Sequence, residues 1–453
     1  MKLDNIFSGP HVTMEDVLQC RTARAKRQKE LLTRGGQCLV SFSMNIPGDM
    51  KQMPLAKSAF EVGMEELQNM LPPGCILDSF LSHACTGSEG MLLLNCPSEK
   101  VKHTAIELEE YHPLGRLFDI DVLNPDGLAL SRTSFGFPSR SCLICGQDAK
   151  LCARGQAHSL EAVRQKVAQI LEDFFRDRAA NRFASYATRA LLYEVSITPK
   201  PGLVDRVNNG SHHDMDYFTF LDSCSALCQW FRQMFCQGWE GSNLQPQQFF
   251  DRLRYLGRQA EKDMFSATGG VNTHKGLIFS MGILCAALGK VYVEQGGRIP
   301  LEKVLSACQS LGQCSLKDFQ DAGNDTAGLR CYHQNHLTGV RGEAAAGFPT
   351  VLTVGLPTLQ HWLSQGLSLN DAAAITLVAF LATITDTNMI HRSSLEKAAL
   401  CRVQARELLS HLTRENYRAK LESLDAQYIR ENLSPGGCAD LLALTLMFYF
   451  LFC

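Results

Sequence analysis

Residues 266–288 read SATGGVNTHKGLIFSMGILCAAL. Gly269 and Gly270 make a turn, Asn272, Thr273, His274 and Lys275 form a polar knot, and the apolar run behind them reads as a buried helix. The first turn of a helix leaves backbone N–H groups without partners, and glycines let a charged ligand come close, so the stretch has the makings of a phosphate seat. Lys275 and His274 can supply the matching charge. A plain glycine turn whose His and Lys face water accounts for the same residues. The stretch is no Walker loop, because a His precedes the Lys and a Gly follows it.

Outward from this stretch, residues 178–453 read as helical almost throughout. Helices are expected over 183–195, 218–235, 247–265, 276–293, 301–312, 369–384, 395–412 and from 439 to the end. The last of these includes LLALTLMFYFLFC, residues 441–453, which is shorter than the roughly 20 apolar residues a spanning helix needs and reads as a buried terminal helix. Polar loops with glycines interrupt the helices: EVSITPKPGLVDRVNNGSHHDM, GGVNTHKG, LTGVRGEAAAGFP and DTNMIHRSS. Loops on a rigid scaffold are where binding residues gather. In these loops and beside them, Lys200, His274, Lys275, Arg341 and Arg392 can clamp phosphates, and Glu194, Asp205, Asp214, Asp263, Glu343 and Asp386 can hold a metal or move a proton. Each alone is an ordinary solvated or capping residue; their concentration points to a nucleotide site.

The first third mixes periods. Thr13 with Asp16 marks a helix start, CLVSFSMNIPG (38–48) alternates like a strand, Phe60, Met64, Leu67 and Leu71 recur at helical spacing, and 74–80 and 91–94 return to strand character. In HPLGRLFDIDVL (112–123) a strand places Asp119 and Asp121 on one face and Phe118, Ile120 and Val122 on the other. Two carboxylates at that pitch can grip a divalent metal, with Arg116 on a phosphate oxygen; solvated acids on an edge strand are the plain alternative. Cys142, Cys145, Cys152 and His158 follow as C-x2-C-x6-C-x5-H, which suits a closed, structural zinc; ordinary thiols beside a surface His fit as well. Ser159 caps a helix ending in the charged run Arg176, Asp177, Arg178, and the change of pattern there sets two domains, 1–177 and 178–453. The expected fold is thus an α+β N-terminal domain, with a mixed sheet and helices, joined to a larger all-α C-terminal domain.

With 44 basic against 46 acidic residues, a net charge of −2, no overall field attracts nucleic acid or an anionic membrane, so any anion site is local. Eighteen cysteines scattered along a chain whose start, MKLDNIFSGPHVTMEDV, shows no leader pattern point to free thiols in a reducing cytoplasm.

Through EVSITPKPGLVDRVNNGSHHDM, EKDMFSATGGVNTHKG, LTGVRGEAAAGFP, DTN and SPGGCADLLA, residues 178–453 resemble triphosphoribosyl-dephospho-CoA synthase. Through RAKRQ, TGSEGMLLL, HPLGRLFDIDVL and SRSCLICG followed by CARGQAH, residues 12–177 resemble apo-citrate-lyase phosphoribosyl-dephospho-CoA transferase. The resemblance implies a bifunctional transferase. One domain joins the triphosphoribosyl group of ATP to the 2'-hydroxyl of dephospho-CoA and releases adenine. The other passes the product to a serine of the citrate lyase acyl carrier protein (the gamma subunit), releasing pyrophosphate. It further implies Lys200, His274, Lys275 and Arg341 as the triphosphate clamp with Asn272, Thr273 and the two glycines, and Arg392 near it. Asp214 and Asp263, with Asp205, become metal ligands, Glu194 the base, and Asp386 and Glu343 its catalytic company. In the first domain Asp119 and Asp121 hold Mg²⁺, with Arg116 and Lys102 on the phosphates. Two departures stand out: Thr22 follows Arg21 where the transferase pattern has an acid, and MIHRSS follows DTN where smaller residues are expected. A kinase or ribosyl hydrolase using the same loop, and a nucleotide-binding scaffold that recruits a carrier protein without chemistry, are the competing readings.

Overall fold

The computed structural model describes residues 9–320 and 327–453; the first eight residues, part of the stretch read for a leader, lie outside it. The chain divides into two compact units, Met1–Arg176 and Asp177–Cys453.

In the first unit Thr13 opens helix α1 (Met14–Leu32) with a reciprocal capping box to Asp16. Then come β1 (Cys38–Met44), α2 (Pro54–Met70), β2 (Ile76–Ala84), β3 (Gly87–Leu94), α3 (Ser98–Tyr111), β4 (Phe118–Leu123) and the short α4 (Ala149–Arg154). The sheet runs β2-β3-β1-β4. Every pairing is antiparallel, so it is not the mixed sheet expected: Ala84 pairs with Gly87 across a two-residue turn, and central β1 opposes both its neighbours. One face carries Phe42, Phe118, Ile120 and Val122 into a core with Phe60 and Met64 of α2. The other packs Leu39, Met91, Leu93 and Leu123 on Leu31 of α1. Farther along that second face the register sets Ser43 between Glu89 and Asp119, and Ser41 beside Asp121. Directly paired residues share a face, so the two aspartates stand on a polar surface while their neighbours fill the core.

The division between the units falls inside α5 (Leu160–Ser196), one helix where a break near 176–178 was expected. No Gly or Pro occurs between 160 and 196, and Arg176 pairs back with Asp173 at 3.1 Å, so the charged run continues the helix. The second unit continues with α6 (Tyr217–Glu240), α7 (Pro246–Ala267), α8 (Lys275–Glu294), α9 (Leu301–Ser315), α10 (Ala327–Asn335) and α11 (Gly339–Ala345). After a π turn at Val351–Gly355 follow α12 (Leu356–Ser364), α13 (Leu369–Thr383), α14 (Thr387–Arg392), α15 (Leu395–Ser410), α16 (Tyr417–Arg430) and α17 (Gly436–Phe452). No strand occurs among its described residues. Helices α11 and α14 lie where loops were expected.

Helix α8 is the hub. Among the described residues it alone is long and apolar enough to cross a membrane, yet 72% of its apolar window is buried within the protein. It meets α6 backbone to backbone: a Cβ on Gly238 would lie 2.0 Å from the Ala286 carbonyl oxygen, and one on Gly289 2.0 Å from that of Phe235. Only glycine permits so close a crossing. The apolar terminal helix α17 is buried along Leu441–Phe448 side chains, as its composition implied.

Candidate active sites

The second unit holds a cavity of about 940 Å³, walled by the glycine-bearing loops. The loop after α5 is docked from below by buried Asp425 of α16, which accepts the Gly202 N–H at 2.9 Å and the Asn208 amide at 3.0 Å. This seats Glu194 and Lys200 on the wall as an ion pair, Nζ to Oε1 2.5 Å, with side chains 4% and 2% exposed. Burial pushes the Glu194 carboxyl up and Lys200 pulls it down. Lys200, expected to clamp phosphate, therefore already has a carboxylate partner.

The polar knot at the start of α8 faces the same space. Asn272 accepts the Lys275 N–H at 3.2 Å, and Lys275 pairs with Glu261 at 3.1 Å. The Thr273 hydroxyl donates to Ser223 Oγ at 2.8 Å, and Ser223 stands 2.7 Å from His274 Nδ1. With its oxygen accepting from Thr273, Ser223 gives its own hydrogen to Nδ1, which leaves the ring proton on Nε2. That nitrogen is buried without a partner among the described residues. Burial first, and Lys200 second, hold the His274 pKa down at about 3. His274 is thus a neutral donor, which corrects the expectation of a cation.

Arg341 reaches the wall from α11, its pair with Asp318 3.4 Å long and its Nε buried without a partner among the described residues. Glu343 accepts the Thr350 N–H at 3.3 Å. Arg392 donates to the Ser211 carbonyl at 3.0 Å and lies 3.1 Å from His212, whose pKa burial and this arginine hold at about 4. Asp386 caps α14 through the Asn388 and Met389 N–H groups and also accepts the Cys438 N–H at 2.8 Å. That bond ties DTN to SPGGCADLLA, whose Gly436 and Gly437 leave no side chain between the two segments.

Asp440, a residue to which sequence reasoning gave no role, completes the wall. Its Oδ2 would lie 2.3 Å from a Cβ on Gly276, so the glycine after Lys275 is what admits this carboxylate to the first turn of α8. Burial pushes its carboxyl well above the ordinary range, and Glu194 and then Asp386 add to the rise. No hydrogen bond or ion pair reaches it among the described residues. Its signal in the sequence was a lone carboxylate in an otherwise apolar helix.

Other expected residues stand elsewhere. Gly269 and Gly270 form the turn, at φ 63° and 91°, but do not line the cavity. Asp205 accepts the backbone N–H groups of Lys200, Val207 and Asn208. Asp263 accepts the Trp230 indole N–H at 2.8 Å, and Asp214 is exposed, 3.8 Å from His212. These three expected metal ligands are spent on local structure or scattered, and do not converge.

In the first unit Asp119 and Asp121 stand exposed side by side with no hydrogen-bond partner among the described residues. The surrounding protein, and next Asp119, push the Asp121 carboxyl up. Lys102 is buried beneath β4 and donates to the Ile120 carbonyl at 3.3 Å, while Arg116 donates to the Ser141 carbonyl, so both expected phosphate ligands hold backbone. Unforeseen buried Glu109 accepts the Ile120 N–H at 3.0 Å and pairs with Arg140. Arg24 and Arg27 of RAKRQ grip buried Glu89 of TGSEG at 2.8 and 2.7 Å, which brings two motifs together. Cys142, Cys145, Cys152 and His158 offer ligand atoms that all lie within 4.8 Å of one another.

Residues 180–452 match the family model of CitG, described as ATP:dephospho-CoA triphosphoribosyl transferase, and residues 12–174 that of CitX, apo-citrate lyase phosphoribosyl-dephospho-CoA transferase. Protein CitXG of Haemophilus influenzae is 35% identical over 97% of this chain and 96% of its own length. The protein of the same name from Leuconostoc mesenteroides subsp. cremoris is 35% identical over 98% of each. A probable 2-(5''-triphosphoribosyl)-3'-dephosphocoenzyme-A synthase of Vibrio cholerae is 40% identical over 58% of this chain and 86% of its own length.

Proposed function

Because this chain belongs to the family of fused CitX–CitG transferases, and so both makes and attaches the citrate lyase prosthetic group, we propose that its second unit makes the group in the cavity around Asp440 and its first attaches the group at the Asp119–Asp121 surface. In the first step the 2'-hydroxyl of dephospho-CoA bonds to the ribose C1 of ATP, and the C1–N bond to adenine breaks with its electron pair going to the base. Asp440 takes the hydroxyl proton. One observation supports this above the others: of the carboxylates on the wall, only Asp440 is without a partner among the described residues, whereas Glu194, Glu261, Glu343 and Asp386 are engaged. A raised carboxyl is also a stronger base. Glu194, the acid expected in that role, is held by Lys200 and instead supports Asp440's high pKa. Lys275, Arg341 and the N-terminus of α8 seat the triphosphate, and the neutral Nε2–H of His274 donates a hydrogen bond to it or to the departing adenine.

In the second step a carrier serine oxygen attacks the phosphoryl group that bears the ribose, and pyrophosphate leaves. The paired, partner-free Asp119 and Asp121 fit a divalent ion, and magnesium held there would neutralise the phosphates. Lys102 and Glu109 keep their strand in place. The carrier is the acyl carrier (gamma) subunit of citrate lyase, and the compartment is the cytoplasm, where ATP and dephospho-CoA are at hand and eighteen free thiols stay reduced. Incubation with ATP, Mg²⁺, dephospho-CoA and apo carrier, followed by mass analysis, should give adenine and a heavier carrier. ADP in place of adenine, or free ribose triphosphate, would overturn the reading.

A further inference from the structure

We propose that Cys142, Cys145, Cys152 and His158 bind one zinc ion, and that this zinc holds the loop that braces the Asp119–Asp121 strand. The first ligand pair comes from a tight turn: the Gly146 N–H donates to the Cys142 carbonyl at 3.3 Å, the Ile144 N–H points at Cys142 Sγ at 3.5 Å, and Gly146 takes φ 74° to close the turn. The second pair is built on α4, which Asp148 caps through the Lys150 and Leu151 N–H groups; the chain then folds back, Ala157 N–H to Cys152 carbonyl 3.0 Å, to return His158. Cys145 Sγ lies 3.5 Å from Cys152 Sγ and 3.2 Å from His158 Nε2. A tetrahedral zinc with bonds of about 2.3 Å to sulfur and about 2.0 Å to nitrogen sets its ligand atoms about 3.5–3.8 Å apart; the two separations at Cys145 are within tenths of an ångström of that, and all four atoms lie within 4.8 Å of one another. Three thiolates and an imidazole suit zinc over magnesium or calcium, and four protein ligands make the site structural.

Apart from Leu130 and Leu143, which pack half-buried against the core of the unit, and a few polar contacts, little holds the fold around the cluster. No residue between 124 and 166 is buried, and α4 buries none of its side chains. A segment of that length without an apolar core needs a covalent or metal staple to keep one conformation. Its contacts give the staple a purpose. Arg140, two residues before Cys142, pairs with Glu109 and donates to the Phe118 carbonyl at 2.7 Å, while the Ser141 carbonyl receives Arg116. The metal loop thus grips both the start of β4 and the buried acid that holds its middle. The zinc site stands on its own geometry; its effect on carrier labelling rests on the reading of β4 as the attachment site.

The test uses the full chain. Purified under reducing conditions it should carry one zinc per chain by elemental analysis, and cobalt(II) added in place of zinc should give thiolate charge-transfer and tetrahedral d–d absorption. Cys145→Ser and His158→Asn should each lower the zinc content at least tenfold and abolish the cobalt spectrum. Carrier labelling, measured with ready-made triphosphoribosyl-dephospho-CoA, should fall at least tenfold, with adenine release from ATP unchanged. Should a variant fail to fold, chelation of the wild-type chain and re-addition of zinc gives the same reading. Absence of bound zinc and of a cobalt spectrum, or a Cys145–Cys152 disulfide in its place, overturns the site. Zinc present but removable without loss of labelling overturns its link to β4 and leaves the site standing.

Discussion

Asp440→Asn tests the synthase half most sharply, because the site isolates what it removes. Replacing Glu194 would strand Lys200, and replacing Asp386 would strand three N–H groups; replacing Asp440 strands nothing. Asparagine keeps the shape against Gly276 and removes only the charge and basicity. Proton transfer by a placed side chain contributes about 10²–10⁴ in rate, so adenine release should fall by that factor, about 3–5 kcal/mol in the barrier. The sign for stability is opposite. A carboxyl whose folded pKa is raised favours the folded state when protonated, and that support is lost as pH rises through the folded pKa. Asparagine mimics the protonated form, so the variant should melt higher than wild type at pH 8, with the difference vanishing below about pH 4, the unperturbed range of the carboxyl. Adenine would be followed by chromatography, ATP affinity by calorimetry and melting by circular dichroism across pH. An Asp440→Asn protein with wild-type adenine release and wild-type ATP binding would refute the assignment, and one melting lower at pH 8 would refute the picture of a half-buried carboxylate with no partner among the described residues.

Lys200→Met leaves Glu194 buried without its partner and should lower stability by about 3–5 kcal/mol in denaturant unfolding, whereas the double change with Glu194→Leu should recover most of it. Asp119→Asn should cut carrier labelling about a hundredfold, the effect of losing about 3 kcal/mol of metal-borne charge stabilisation, with adenine release unchanged; equal loss of both activities would argue against separate sites. His274, neutral with a pKa near 3, binds its proton less readily folded than unfolded, so its share of stability is full above about pH 6.5 and is lost between there and pH 3. His274→Gln should flatten that part of the acid-unfolding curve, and the wild-type ring should show no NMR titration between pH 5 and 8. Gly289→Ala forces a methyl against the Phe235 carbonyl and should cost about 1–3 kcal/mol by thermal melting.

The elements that composition made legible are those whose periodicity is long and uninterrupted. The run after Lys275 could be only a buried helix, and the alternation at 118–123 did place two aspartates on one face. Helices α11 and α14 were hidden because glycines and polar residues dominate them, although Asp386 two residues before Asn388 is a cap that could have been read. Helix α16 was missed despite Leu421, Leu424 and Tyr428 at helical spacing. At the sites, residue type identified the right loops but not the pairings. Nothing in the sequence says that Lys200 meets Glu194, that Asp263 serves Trp230, or that a His beside a Lys is neutral, because each depends on which side chains the fold stacks beneath the loop. Asp440 was the converse case, a residue quoted within a motif whose importance emerges only where α17 crosses the start of α8.

The glycine crossing of α6 and α8 bears on more than packing. Gly289 lies fourteen residues along α8 from Lys275, about 21 Å at 1.5 Å per residue, and a helix held rigidly at one end behaves as a lever. A tilt of about 5° at the crossing would swing the cavity-facing end by about 2 Å, and displacements of about 1 Å can cost a hundredfold in rate. The wall of the cavity is therefore aimed from its far side, and changes at Gly238 or Gly289 should be felt first in turnover, before the protein shows any sign of unfolding.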